Sequence, residues 1–145
     1  MATTKTYGSL IGKAFNKEVD FDSDTIKVAL VTSSYTPNQD THDYWDDVAT
    51  NEVSGTGYTA GGATLANKSV TYTSGTNVTK FDANDVSWTS STITARYAVI
   101  YDATPASNAT MPLIGYIDFG SDQSSSNGTF SIVWDAAGIF TTTAD

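Results

Sequence analysis

Residues 41–47, THDYWDD, set the chain's one histidine, His42, among Asp43, Asp46 and Asp47, with Tyr44 and Trp45 between them. An imidazole beside carboxylates is the raw material of general acid–base catalysis or of a metal cage. The rest of the chain completes neither. A hydrolytic triad needs a nucleophile next to its base, and no G-x-S-x-G elbow surrounds any serine. Catalytic zinc generally takes two or three His ligands, and there is one His and no Cys. The spacing instead fits a short capped helix near residues 40–48. Asp40 or Thr41 caps it, and Asp43 lies in its first turn, where the helix dipole favours an anion. Tyr44, Trp45 and Val48 then pin it to the body of the protein, while Asp46 and Asp47 near its C-terminal end oppose the dipole and keep it short.

Four other groups merit the same scrutiny. Asp20, Asp22 and Asp24 alternate like the start of an EF-hand loop, but Thr25 stands where that loop needs Gly and Val31 where it needs the bidentate Glu. What survives is a weak calcium site or, as the commoner outcome, solvated acids before a strand. Asp82 and Asp85 read as the ends of a β-turn rather than as a glycosidase pair. Trp45, Trp88 and Trp134 offer a sugar platform in principle, but Trp88 and Trp134 sit in strand patterns and suit a core or an interface. Arg96, the single arginine, is expected in a structural ion pair, with a subunit interface as the sharper alternative. The glycine-rich stretch 51–62 carries Gly55-x-Gly57 and Gly61-Gly62, does not match G-x-G-x-x-G, and reads as a long surface loop with left-handed glycines.

The elements that position these residues are mostly strands. Tyr7, Leu10, Ile11, Ala14 and Phe15 form one apolar stripe of an N-terminal amphipathic helix, with the lysines off the stripe. Gly8 and Gly12 weaken it, so it needs a surface to lie on, in this domain or on a neighbouring subunit. Strands are expected at 25–32, within 63–72, and at 78–81, 86–88, 94–101, 113–119, 130–134 and 139–140. The turn Ser74–Asn77 and the clusters TPASNATMP and GSDQSSSNG divide them. Large residues recur at every second position in 97–101 and 130–134, the period of a half-buried strand. The fold class is therefore mainly β, an antiparallel β-sandwich or flattened barrel. One domain spans 1–145, with a helical arm over 1–20 and the sandwich over 21–145.

Net charge is −9, and the seven basic residues are scattered singly, so no cationic face exists for nucleic acid or for an anionic membrane. No apolar run is long enough to span a bilayer, and the first residues lack a secretory signal. The expectation is a soluble protein made in the cytoplasm, without cofactor or metal and without disulfides.

Taken together, segments 24–45, 52–62, 81–88, 94–102, 112–120 and 130–140 resemble a widespread family of small tailed-bacteriophage structural proteins, over about residues 7–141. The resemblance implies a β-sandwich virion component: in first place a capsid decoration (cement) protein, in second a tail or head–tail connector component. It carries no catalytic residues with it. It implies other virion proteins as partners and a homo-oligomer, in keeping with the symmetry of such assemblies. A glycan- or receptor-binding module and a hydrolase built on His42 complete the set of readings.

Overall fold

In the computed structural model, residues 3–145 are described, and among them eight strands form two antiparallel sheets. The larger sheet contains β1 (Lys5–Thr6), β2 (Ile26–Val31), β3 (Ala63–Thr64), β6 (Val86–Asp102) and β7 (Leu113–Ile132), in the order β1-β7-β6-β2-β3. The smaller contains β4 (Ser69–Thr73), β5 (Val78–Asp82) and β8 (Phe140–Thr143), in the order β4-β5-β8. One short helix, α1 (Leu10–Phe15), precedes β2. The expected mainly β, sandwich-like architecture is what forms.

The run IKVALV of β2 alternates between two apolar clusters. Val28 and Leu30 enter one with Ala98, Ile100, Ile114 and Ile117; Ala29 and Val31 enter the other with Val99, Tyr101, Leu113 and Tyr116. The first cluster is closed by the smaller sheet, where Phe81 stacks on Phe140 at 4.3 Å and Phe21 meets Phe81 edge-on at 5.6 Å. The second is closed by Tyr7, Tyr35, Trp45 and Val48, which belong to the chain before β2 and to the loop after it. The middle of the large sheet is therefore covered on both faces, so its strands are apolar continuously and not only at alternate positions. The half-buried reading of residues 97–101 is corrected accordingly: Ala98, Val99 and Ile100 are all sealed from solvent.

Several expected strands merge. Residues 86–88 and 94–101 are parts of β6, and the cluster GSDQSSSNG, expected as a turn, lies inside β7. Its small polar residues pair across the hairpin: Ser91 Oγ and Ser125 Oγ lie 2.7 Å apart, and Thr94 Oγ1 and Ser124 Oγ lie 2.7 Å apart. Cross-strand hydroxyl pairs of this kind hold a pleated surface without apolar side chains. The irregularity that the composition signals is absorbed by bulges. Between Ala95 and Tyr97 the partner on β7 jumps from Gln123 to Asp118, and Gly120 takes the left-handed φ of 81° that the excursion requires.

The N-terminal segment also departs from expectation. α1 is only six residues long, and its apolar stripe is split: Leu10 is buried, whereas Ile11 is 51% and Phe15 85% exposed. Lys13, expected on the wet side, is 7% exposed. Before α1 the chain lies on the large sheet, where β1 pairs with β7 (Lys5 opposite Tyr116) and Tyr7 fills the second cluster. No helix among the described residues is long and apolar enough to cross a membrane.

Candidate functional site

The segment carrying His42 folds over the second apolar cluster of the large sheet, and within it Asp46 is exposed. His42 Nδ1 lies 2.9 Å from the Tyr35 hydroxyl and 3.4 Å from the Asn38 N–H. Tyr35 in turn meets the Tyr7 hydroxyl at 2.8 Å. With the Asn38 N–H donating, Nδ1 is the acceptor and the ring proton sits on Nε2, an assignment that the hydrogen-bond network implies. Burial raises the Tyr35 phenol to about 12 and pushes the Tyr7 phenol higher still. At neutral pH both are therefore neutral hydrogen-bonding posts, poorly suited to acid–base work.

The expected helix at 40–48 is replaced by two single 3-10 turns, Trp45–Asp47 and Ala49–Asn51. Tyr44 is extended and bridges to Pro112, so residues 40–43 do not start a helix. The acids shift role with the register. Asp46 and Asp47 fall in the first turn, on the favourable side of the backbone dipoles, and Asp47 Oδ2 reaches back to accept from the Asp43 N–H at 2.9 Å. At 3-10 spacing the buried pair is Trp45 and Val48, while Tyr44 faces outward. Lys13, a residue that no sequence pattern singles out, clamps this loop. Its ammonium donates to the Asp43 carbonyl, lies 3.4 Å from Asp43 Oδ2, and sits 3.2 Å from the centre of the Tyr44 ring. Tyr44 donates to Glu18 Oε2 at 2.9 Å.

The aspartate triplet does not converge. Asp20 shapes the turn, its Oδ1 accepting from the Ser23 N–H at 3.1 Å, and Asp22 is exposed. Asp24 faces a residue that the sequence reading missed, Asp102, which ends β6 with its side chain fully buried. The one signal in the sequence is an acid closing the apolar run YAVIYD. Among the described residues, no three His, Asp or Glu side chains gather as a cage for a metal ion. Burial, and then the neighbouring Asp24, raises the Asp102 carboxyl to about 6. Its folded-state value thus lies above its unfolded one, so the folded chain binds the extra proton and stability falls as pH rises from about 4 to about 6. In Asp102→Asn this fall, on the order of 2 kcal/mol, is expected to disappear from urea denaturation midpoints measured across that range.

The remaining candidates serve the fold. Asp82 and Asp85 do not bound a β-turn; residues 83–85 carry the chain from the small sheet to the large one, and Asp85 Oδ1 accepts from the Trp134 N–H at 2.9 Å. Asp82 pairs with Lys80 at 3.1 Å. Trp45, Trp88 and Trp134 are all buried, leaving no exposed ring face for a sugar platform. Arg96 makes the expected ion pair, bidentate to Asp118 at 2.7 and 3.3 Å, and spans the bulge in β7. Arg96 and the Gly120 N–H hold the Asp118 carboxyl below the usual carboxylate range. In the glycine-rich loop, Glu52 Oε1 accepts from the Tyr58 hydroxyl and the Gly61 N–H, each at 2.6 Å, which presses the loop onto β2. Gly57, Gly61 and Gly62 are left-handed, as expected. No protein-family model matches the chain, and no match was found among curated proteins or solved structures.

Proposed function

We propose that this chain is a non-enzymatic structural protein of a tailed-bacteriophage virion, in first place a capsid decoration protein that works through oligomeric contacts. The observation that supports an assembly role is a surface that the fold leaves wet. Phe15, 85% exposed, and Ile11 project from α1 beside a groove whose far wall includes Val70 of β4. β4 is an outer strand of the small sheet, exposed along its whole length, and its sequence SVTYT contains no charge or proline to discourage pairing. An apolar helix face next to an open strand edge marks an interaction surface. The acid-rich remainder keeps unassembled copies apart and in solution. Bridging neighbouring capsomers through this surface would add buried interface that resists internal pressure. A tail or head–tail connector role would use the same surface, and the position of the protein in an electron-microscopy map of the particle separates the two.

Phe15→Ser tests the reading. Burying a phenylalanine contributes roughly 1.5–3 kcal/mol, so its loss is expected to weaken self-association or capsid binding at least about tenfold. The melting temperature should hardly move, because the ring makes no contribution to the monomer core. Light scattering behind size-exclusion chromatography and co-sedimentation with expanded capsids are the measurements. Wild-type protein that stays monomeric and binds neither capsids nor tails would sink the proposal.

A further inference from the structure

Asp102 presents an unmet need. One oxygen, Oδ1, accepts from the Thr104 N–H at 2.9 Å. The other, Oδ2, is buried and has no protein donor. The Asp24 carboxylate lines the same pocket as Asp102, and two carboxyl groups bond to each other only when one of them holds a proton. A pocket opens over the pair, its wall completed by Lys17, Glu18, Tyr44 and Thr110. Lys17 forms no ion pair with either acid.

Asp24 is held in place for this encounter. Its Oδ2 accepts from the Asp20 N–H at 2.7 Å, and its own N–H donates to the Asp20 carbonyl at 2.9 Å. On the other side, the Thr104 hydroxyl accepts from the Thr25 N–H at 2.8 Å, tying the loop after β6 to the residue beside Asp24. Two fixed carboxylates therefore share a concave space with Glu18 and a single cation, Lys17, so negative charge is in excess there.

We propose that Asp24 and Asp102 bind a hard divalent cation of the calcium class, bridged between the two carboxylates, with water filling the remaining positions. The donors are oxygens only, which favours calcium or magnesium over zinc. Ligands from a turn and a strand end make an irregular cage, which calcium tolerates and magnesium's octahedron does not. Two protein carboxylates make a weak site, with affinity in the millimolar class of about 10⁻⁴–10⁻³ M. The ion takes the place of the shared proton and staples the 20–24 turn to the start of the loop after β6. Lys17 and Glu18 face the same space and offset each other there.

The test is a set of thermal melts at a pH above the Asp102 titration, with calcium chloride against sodium chloride of equal ionic strength, on wild type, Asp24→Asn and Asp102→Asn. At about 10 mM calcium the wild-type melting temperature is expected to rise by roughly 3 °C, and neither variant should respond. Terbium luminescence sensitised by Tyr44 gives a second readout, expected to fall at least about tenfold in both variants. Asp24→Asn keeps the turn's acceptor, so it remains informative even if the buried substitution at 102 fails to fold. Calcium that acts no better than sodium, or variants that respond as wild type does, would overturn the site. A stability that follows pH through the Asp102 titration and ignores calcium would leave a shared proton only, which also overturns it.

Discussion

Gly62→Ala is expected to destabilise the protein by at least about 3 kcal/mol, read as a lower urea midpoint with an unchanged slope. Two costs coincide at this position. Its φ of +78° lies in the left-handed region, where an L side chain adds roughly 1–2 kcal/mol. The added Cβ would also run into the Val28 carbonyl and stand 2.6 Å from the Ala29 Cα. Neither neighbour can retreat, because both belong to β2, which is hydrogen-bonded to β6 on one side and β3 on the other. Two controls separate the costs. Gly120 has φ +81° and open space around it, so Gly120→Ala should show the conformational cost alone, about 1 kcal/mol. Gly75 has neither feature, and Gly75→Ala should fall within about 0.5 kcal/mol of wild type.

The second large effect is expected at Trp45. Its indole is 4% exposed and stacks on Tyr101 with ring centres 4.1 Å apart and planes 8° from parallel. Trp45→Ala should cost about 3–5 kcal/mol, the usual range for truncating a buried aromatic residue. The loss reaches beyond the ring, since Trp45 and Val48 are the two buried side chains of the 44–48 stretch. The Trp45 N–H also donates to the Met111 carbonyl at 2.9 Å, joining this loop to the one before β7. Near-ultraviolet circular dichroism should lose the stacked-ring signal even where the variant remains folded. Trp45→Phe keeps a ring over Tyr101 and should recover more than half of the loss. Asp46→Ala, on an exposed neighbour, should be silent within about 0.5 kcal/mol.

These residues show how far local pattern reaches in this chain. β2, the β4–β5 hairpin and the Ser74–Asn77 turn were legible because period and turn chemistry lie within a few residues. The unity of β6 and of β7 was not, because glycines, serines and asparagines signal a turn wherever a partner strand is not visible. The helix expected at 40–48 gives way to two 3-10 turns for a related reason. Pairing of Tyr44 with Pro112 sets the start of that turn, and propensity does not foresee it. The structural roles of Arg96, Trp88 and Trp134 followed from their place in strand patterns. Lys13 and Asp102 stayed hidden because their meaning comes from Asp43 and Asp24, residues far along the chain that only the tertiary fold brings near.

The pairing of β1 with β7 carries a consequence for the order of events during synthesis. Lys5 and Thr6 lie opposite Tyr116 and Gly115, so β1 has no partner until β7 has left the ribosome. Tyr7 waits likewise, since its N–H donates to the Ile114 carbonyl and its ring packs against Tyr116. Such non-local closure is slow, and Tyr7 stays uncovered until it occurs. β1 is therefore among the last strands to find its place.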